Sequence, residues 1–490
     1  MFRWIVSYIV LSHYLQLSYS MTSRIIPRAL SEVSTTSPKQ FKVAVIGAGA
    51  AGLVTARALS SKHGIQVTVL EKNKNVGGVW AYEKSKHRPM YKNLRTNLPK
   101  EIMAFREFPF NSDTNVKSPS FVTHKDVQRY LMSYCDKFDL EKLIQFGSQV
   151  EQLRICVEHK SSIVEEWPQI ELAWVQNGTR HSQTFDAVCV CNGHYAAPSI
   201  PTIQGIEYFK GETLHSIEYD DPLDFAGKTV LCIGGRASGA DIAREISAHA
   251  KKVYLSDSTC PEPLVDGQPH KQGNVLWVPR TEAINRDSTI VFQRCSETPQ
   301  VDTIIYCTGY DYKFPFINEK SNLELSVVPG ERRVSPLYDQ LWHAYYPNLT
   351  FIGLQHSIVP FPFFELQAEA IVSQWIESSD WKLPNLEERL LSAKQDSNSG
   401  GPNGTRIQDT HFLGSFQWNS CLHYAKCAGI LDQDLEDYIA TNKAIYDDSN
   451  RNRKALFPGG DDSYRNMKYI RQDSKRSFQV EIITNDTVSL

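Results

Sequence analysis

No block of like charge interrupts this sequence, and its 490 residues carry a net charge of only -3. That balance gives no electrostatic footprint for nucleic acid or for an anionic membrane. A fixed-period repeat is missing, which excludes solenoids and propellers. The ten cysteines are scattered, without the spacing of a metal site or a disulfide framework. No metal ligand set and no nucleophile–base triad stands out. Long apolar runs are scarce: Trp4 to Leu17 is short of the ~20 residues that span a bilayer, and no second candidate follows. No stable membrane anchor is therefore expected. What is present is an ordinary globular composition, 41% hydrophobic and 22% charged, long enough for two or three domains.

The first twenty residues stand apart. Arg3 precedes the uncharged run Trp4 to Leu17, which His13 and Gln16 weaken, and Ser18-Tyr19-Ser20 supplies the small residues of a cleavage site. A cleaved secretory signal over 1–20 is the expectation. Residence in the endoplasmic reticulum lumen or on its membrane is the alternative. Residues 21–40, rich in Ser, Thr and Pro, read as a linker. Glycosylation sequons begin at Asn177, Asn348, Asn403 and Asn485. Alone they carry little weight, but with the leader they favour the secretory route.

Phe41 to Ile46 is an apolar strand, followed by a Gly-rich turn, a helix over about Ala51 to Ser61 and a second strand at Gln66 to Leu70. The grammar recurs at Thr229 to Ile233, with a helix from about Gly239 to Ala250 and a strand at Lys252 to Leu255. Asp186 to Cys191 and Val301 to Thr308 add further apolar strands. Cys189 and Cys191 would then share one strand face, in the core. The fold class is α/β, with two Rossmann-like dinucleotide-binding domains, one inserted in the other. Polar stretches near 392–406 and 446–466 read as surface loops.

The first turn is Gly47-Ala48-Gly49-Ala50-Ala51-Gly52. Gly47 permits the tight turn, Gly49 lets backbone approach a diphosphate, and Gly52 lets helix and strand pack closely. The anion would lie on the free N–H groups at the helix start. Glu71 ends the next strand, at the offset of an acid that binds ribose hydroxyls. Val76-Gly77-Gly78-Val79-Trp80 follows, a second glycine pair beside a long cofactor.

The second turn is Gly234-Gly235-Arg236-Ala237-Ser238-Gly239, followed by Ala240-Asp241. Arg236 falls where the usual pattern has a glycine. Its side chain either blocks the diphosphate or contacts a phosphate. Asp257, at the end of the next strand, either disfavours a 2'-phosphate and admits NADH, or merely caps a turn.

Between the turns, Phe209-Lys210-Gly211-Glu212-Thr213-Leu214-His215-Ser216-Ile217-Glu218-Tyr219 fits Phe-x-Gly-x-x-x-His-x-x-x-Tyr/Phe. With Gly-Gly-x-Trp at Gly77 to Trp80, this resembles flavin-containing monooxygenases. Baeyer–Villiger monooxygenases are similar but carry Trp where this chain has Tyr219. His215 is assigned to the linker between domains, without a chemical role. Leu94 to Lys100, Tyr306-Cys307-Thr308-Gly309-Tyr310 and Phe361 to Gln367 extend the resemblance over about residues 41–376.

The resemblance implies an FAD-binding domain in two parts (41–210 and 305–440), an NADPH-binding domain (211–304) and a C-terminal extension (441–490). Its implied cofactor contacts are Gly47, Ala48, Gly49, Ala50, Ala51, Gly52, Glu71, Gly78, Val79, Trp80, Arg95, Thr96 and Asn97 on the first site. On the second they are Gly234, Arg236, Ser238, Gly239, Ala240 and Asp241. Asn97 takes the place of the family's active-site Asn, and no metal is implied. The implied activity uses NADPH and O2 and passes through a flavin C4a-hydroperoxide to oxygenate a soft nucleophile. The partners are a small amine or sulfide and O2, with homo-oligomerisation left open.

A secretory leader without a C-terminal anchor resembles the soluble insect members of the senecionine N-oxygenase type. That makes a tertiary amine, such as a pyrrolizidine alkaloid, the leading expectation. Sulfide S-oxygenation and Baeyer–Villiger oxygenation are alternatives, and an inactive flavin-binding interaction protein is the alternative of another class. A flavin-dependent disulfide reductase is disfavoured, because Gly77 to Lys100 contains no cysteine.

Overall fold

The computed structural model describes residues 40–84, 88–110, 119–156, 167–261, 268–376, 378–399, 406–472 and 477–483. The expected signal peptide, the linker up to residue 39 and the sequons at Asn403 and Asn485 lie outside these residues. The principal elements are β1 (Phe41–Ile46), α1 (Ala50–Ser60), β2 (Ile65–Glu71), α2 (His124–Lys137), β3 (Ile144–Phe146), β4 (Ser148–Ile155), β5 (Ile170–Gln176), β6 (Thr179–Phe185), β7 (Ala187–Val190), β8 (Glu212–His215), β9 (Thr229–Ile233), α3 (Ala237–Ser247), β10 (Lys252–Ser256), β11 (Val275–Val278), β12 (Thr303–Tyr306), β13 (Leu349–Phe351), α4 (Pro360–Trp375), α5 (Leu386–Ser399), α6 (Gln417–Ala428), α7 (Gln433–Lys454), β14 (Met467–Arg471) and β15 (Phe478–Ile482).

The first sheet runs Leu337–Tyr338, Trp342–His343, β13, β7, β1, β2, β3, with β1 parallel to both β2 and β7. β1 is apolar on both faces because both faces are covered, the rule for parallel strands. Val43 and Val45 pack with α1, α2 and α4, whereas Ala44 and Ile46 pack with Leu153, Leu172 and Trp174 of the β4–β6 sheet. Cys189 and Cys191 are buried on the helical side, as the strand reading required.

After β7 the chain leaves this sheet. Between Glu212 and Tyr306 it builds a second one, ordered His270–Gln272, β11, β10, β9, β12, β8, in which only the first edge is antiparallel. It then returns through Leu337–Tyr338 and β13. One unit is therefore inserted in the other, as the repeated strand–turn–helix grammar implied.

Three expectations need correction. A boundary between 304 and 305 cuts β12, whose four residues all belong to the second sheet. A C-terminal extension starting at 441 cuts α7, a continuous 22-residue helix. The polar stretches near 392–406 and 446–466 are in good part the ends of α5 and α7. In α7 the Asp432 side chain accepts a bond from the Leu435 amide at 2.8 Å, acids fill the first turn, and Arg451, Arg453 and Lys454 fill the last. That is the charge order a helix dipole favours. Leu435, Ile439 and Ile445 are buried on one side. The polar remainder hides this narrow stripe when composition alone is read.

Among the described residues no helix is long and apolar enough to cross a membrane. The two described sequons differ sharply. Asn177 and Gly178 have φ of 51° and 77°, the left-handed pair of a tight hairpin turn between β5 and β6, and both are exposed. Asn348 is 0% exposed, and its Nδ2 donates to the carbonyls of Pro168 and Asp186, both at 2.8 Å. Chain recovered from a secreting host is expected to carry glycan on Asn177 and none on Asn348, as read by glycopeptide mass mapping. A glycan on Asn348 of folded protein would contradict this packing.

Candidate active site

Both units make their turn by the same close approach. Gly47 has φ of 106°, and a Cβ there would lie 2.6 Å from the Cys191 carbonyl oxygen. A Cβ on Gly52 would lie 1.8 Å from the Gly47 carbonyl oxygen. In the second unit Gly234 also has φ of 106°, with a Cβ 2.5 Å from the Cys307 oxygen, and a Cβ on Gly239 would lie 1.7 Å from the Gly234 oxygen. No side chain fits at either helix position. The acids repeat as well. Glu71 accepts the Ala48 amide at 2.7 Å, and Asp257 accepts the Gly235 amide.

Glu71 also accepts two bonds from Asn73, at 2.7 Å each, so its carboxylate is fixed at the rim of the first turn. Asp257 takes a second bond from the Thr259 amide at 2.6 Å. Turn capping thus accounts for Asp257. The middle of the first loop meets the second glycine pair: Gly77 donates to the Ala48 carbonyl at 3.0 Å, and a Cβ on Gly78 would sit 2.9 Å from Gly49 Cα. Neither α1 nor α3 has a side-chain cap or an acid in its first turn. Their free N–H groups and positive ends suit an anion.

The two turns open on one cavity of about 2620 Å³, well above the 300–1,000 Å³ typical of a single small-ligand site. Gly47, Gly49, Ala50, Ala51, Glu71, Gly78, Val79, Trp80, Thr96 and Asn97 line it from the first unit. Gly234, Arg236, Ser238, Ala240 and Asp241 line it from the second. Ala48, Gly52 and Gly239 stand behind this wall, holding the turns. The glycine cradles, uncapped helix starts and cavity size fit two dinucleotides.

Arg95 is the exception among the expected contacts. Its Nη2 donates to the Phe121 and Arg465 carbonyls, each at 3.2 Å, so it braces backbone and is not on the cavity wall. Asp241 lines the cavity but is held by Arg465 in a two-bond ion pair at 3.0 and 2.6 Å. Arg236 keeps φ at -71°, so the residue in the glycine's place is unstrained. Its guanidinium lies 5.3 Å over the Phe412 ring. Asn97 is half-buried on the wall, and no hydrogen-bond partner is found for its amide among the described residues.

His215 is 1% exposed at the end of β8. Its Nδ1 accepts the Ile217 amide at 3.2 Å, which leaves Nε2 to donate to the Gly309 carbonyl at 3.0 Å. Tyr219 donates to Glu245 of α3 at 2.9 Å and meets Tyr91 edge-on at 5.1 Å. The His215 and Tyr219 positions of the signature are therefore a joint at the inserted unit, while Ser216 between them lines the cavity.

Several wall residues carry no sequence signal. His194 and His356 line the cavity, and His411 lies close behind, bonded to Gln340 at 3.1 Å. Burial pushes His194 down to about 4 and His356 and His411 down to about 3, so all three are neutral at physiological pH. The charges of Arg236 and Arg332 push His356 the same way. Gln367 accepts the Gly353 amide at 3.2 Å and donates to Gln355 at 3.1 Å, which explains the buried Gln in the Phe361 to Gln367 segment.

Two nucleotide turns opening on one cavity define the site of a two-dinucleotide flavoprotein oxidoreductase. Residues 40–262 match the family described as FMO-like, flavin-binding monooxygenase-like. The chain is 34% identical over 427 residues to flavin-containing monooxygenase FMO GS-OX-like 4 of Arabidopsis thaliana, covering 82% of this chain and 91% of that protein. S-allyl-L-cysteine S-oxygenase from Allium sativum superposes with a TM-score of 0.76 at 31% identity, over 86% of this chain and 94% of that one. Cyclohexanone monooxygenase, at 14% identity and a TM-score of 0.54 over 80% and 98% of the two chains, shares the fold alone. The chain belongs to the flavin-containing monooxygenase family, and its cofactors are FAD and NADPH.

Gly52→Ala is expected to purify nearly free of flavin, because its Cβ forces α1 away from the turn. Gly239→Ala is expected to keep flavin and lose most NADP+ binding. Flavin-to-protein absorbance ratio and NADP+ titration check both. A yellow, fully loaded Gly52→Ala would contradict the close-approach reading.

Proposed function

We propose that this monooxygenase transfers oxygen to a tertiary amine nitrogen, with pyrrolizidine alkaloids such as senecionine as the leading substrate class. Bound FAD, reduced by NADPH, supplies the activation of O2. The remaining work belongs to the chain: holding both dinucleotides, excluding water and admitting the nucleophile in reactive form.

One observation carries this reading. The wall near the second turn bears Arg236 and Arg332, and its histidines are neutral. Burial and the neighbouring Arg236 charge hold Arg332 below its ordinary value, against the Asp311 carboxylate 3.9 Å away. A protonated amine is repelled there, whereas the free base carries the lone pair that attacks oxygen. The resemblance of the leader to soluble insect members supports the alkaloid class. Sulfide oxygenation is the second reading, favoured by the 31% identity to a protein named as an S-oxygenase. We also propose that residues 1–20 direct the chain to the secretory route. The exposed Asn177 turn supports this, and the glycan mapping above tests it.

Asn97 is assigned to the junction of flavin and nicotinamide, where its amide, without a partner among the described residues, is available to hold them. Asn97→Ala is expected to retain flavin while product per NADPH falls at least about tenfold, hydrogen peroxide appearing in its place. Unchanged product yield by mass spectrometry would remove Asn97 from the site. The pH dependence separates the substrate readings. For an amine, kcat/KM rises about tenfold per pH unit below the amine's own pKa, because only the free base reacts. For a sulfide it is flat between about pH 6 and 9, because the wall histidines titrate near 3 to 4 and carry no charge there. A flat profile with tertiary amines, or sulfoxide alone from a mixed substrate panel, sinks the amine reading.

A further inference from the structure

The C-terminal segment carries no recognisable motif, yet it supplies the most buried Lys, Arg, Asp or Glu side chain among the described residues. Arg465, in the short helix Ser463–Asn466, is 1% exposed. Its guanidinium makes four hydrogen bonds. Nη1 and Nη2 grip both oxygens of Asp241 at 3.0 and 2.6 Å, Nη1 also reaches Asp462 at 3.3 Å, and Nε donates to the Thr96 carbonyl at 3.0 Å. The Arg465 carbonyl in turn accepts Nη2 of Arg95 at 3.2 Å.

These partners come from the two different units, and both line the cavity. Asp241 follows Gly239 on α3, beside the second nucleotide turn, and lines the cavity. Thr96 precedes Asn97 on the first unit, and both line the cavity. The segment carrying Arg465 is itself fastened to the first unit. Tyr469 donates its amide to Ser120 at 2.8 Å, Arg471 donates to the Glu101 carbonyl at 3.0 Å, and Tyr464 meets Phe121 edge-on at 5.1 Å.

We propose that Arg465 is a positioning residue with two separable tasks: neutralising Asp241 where the NADPH diphosphate must bind, and tethering the Thr96 carbonyl so that Asn97 keeps its place. The second task rests on the assignment of Asn97 made above. An uncompensated carboxylate beside the turn repels an incoming diphosphate. The charge alone answers that problem. The tether needs the planar fork, because a lysine ammonium is a point charge that cannot serve both Asp241 and Thr96.

Three variants of the full-length, flavin-loaded protein separate the tasks. They are read by the calorimetric Kd for NADP+ and by product formed per NADPH consumed. Arg465→Met raises the Kd at least about tenfold, equivalent to about 1.4 kcal/mol, and lowers the product yield. Arg465→Met combined with Asp241→Asn restores the Kd to within about threefold of native but leaves the yield low. Arg465→Lys keeps a near-native Kd with a reduced yield. A folded Arg465→Met with native Kd and native yield overturns the proposal. Should that variant fail to accumulate, a native yield from Arg465→Lys overturns the tether. Unchanged yield in Asn97→Ala refutes the Asn97 assignment and, with it, the tether, while the Kd comparison still decides the neutralising task.

Discussion

The structure depends on a contact that leaves no room for a side chain. In each unit the first helix starts so close to the preceding strand end that a methyl group would lie within 2 Å of a carbonyl oxygen, at Gly52 over Gly47 and at Gly239 over Gly234. That approach aims the helix start, and its free amides, at the cavity. It also brings each acid, Glu71 and Asp257, within reach of the turn it caps. The parallel sheets and their packed helices exist, in functional terms, to hold these two turns at one cavity.

Charge around the two helix starts favours an anion. The uncapped helix starts face it without an acidic first turn, and Asp241, the carboxylate on the second helix that lines it, is neutralised from behind by Arg465. The histidines of the wall are neutral because burial disfavours their cations. An anionic dinucleotide is accommodated at both helix starts. Tyr219 packs the inserted unit against Tyr91 of the first, and His215 ties the end of β8 to the chain at Gly309.

The turns were legible in sequence because backbone geometry admits only glycine at their key positions. β1 and β9 were legible to the residue because buried parallel strands read as unbroken apolar runs. Asn97, Trp80 and the His215 signature could be named only through motif resemblance; Asn97 and Trp80 line the cavity. Other features were hidden for physical reasons. α7 buries a narrow stripe under a polar majority. Arg95 looks like a cofactor contact until its carbonyl partners at Phe121 and Arg465 are seen. Arg465 lies more than 200 residues from Asp241 along the chain and has no local pattern to mark it. Burial of Asn348 is equally invisible in a three-residue sequon.

The central claim is that the two turns bring flavin and nicotinamide together in a single cavity. Anaerobic addition of NADPH to the purified protein, followed at the oxidised-flavin band near about 450 nm, measures that most directly. The account requires a yellow protein whose band bleaches completely with one equivalent of NADPH per flavin. A protein that holds flavin and keeps its band under excess NADPH would contradict the shared cavity. A colourless protein that refuses added FAD would contradict the first turn as well.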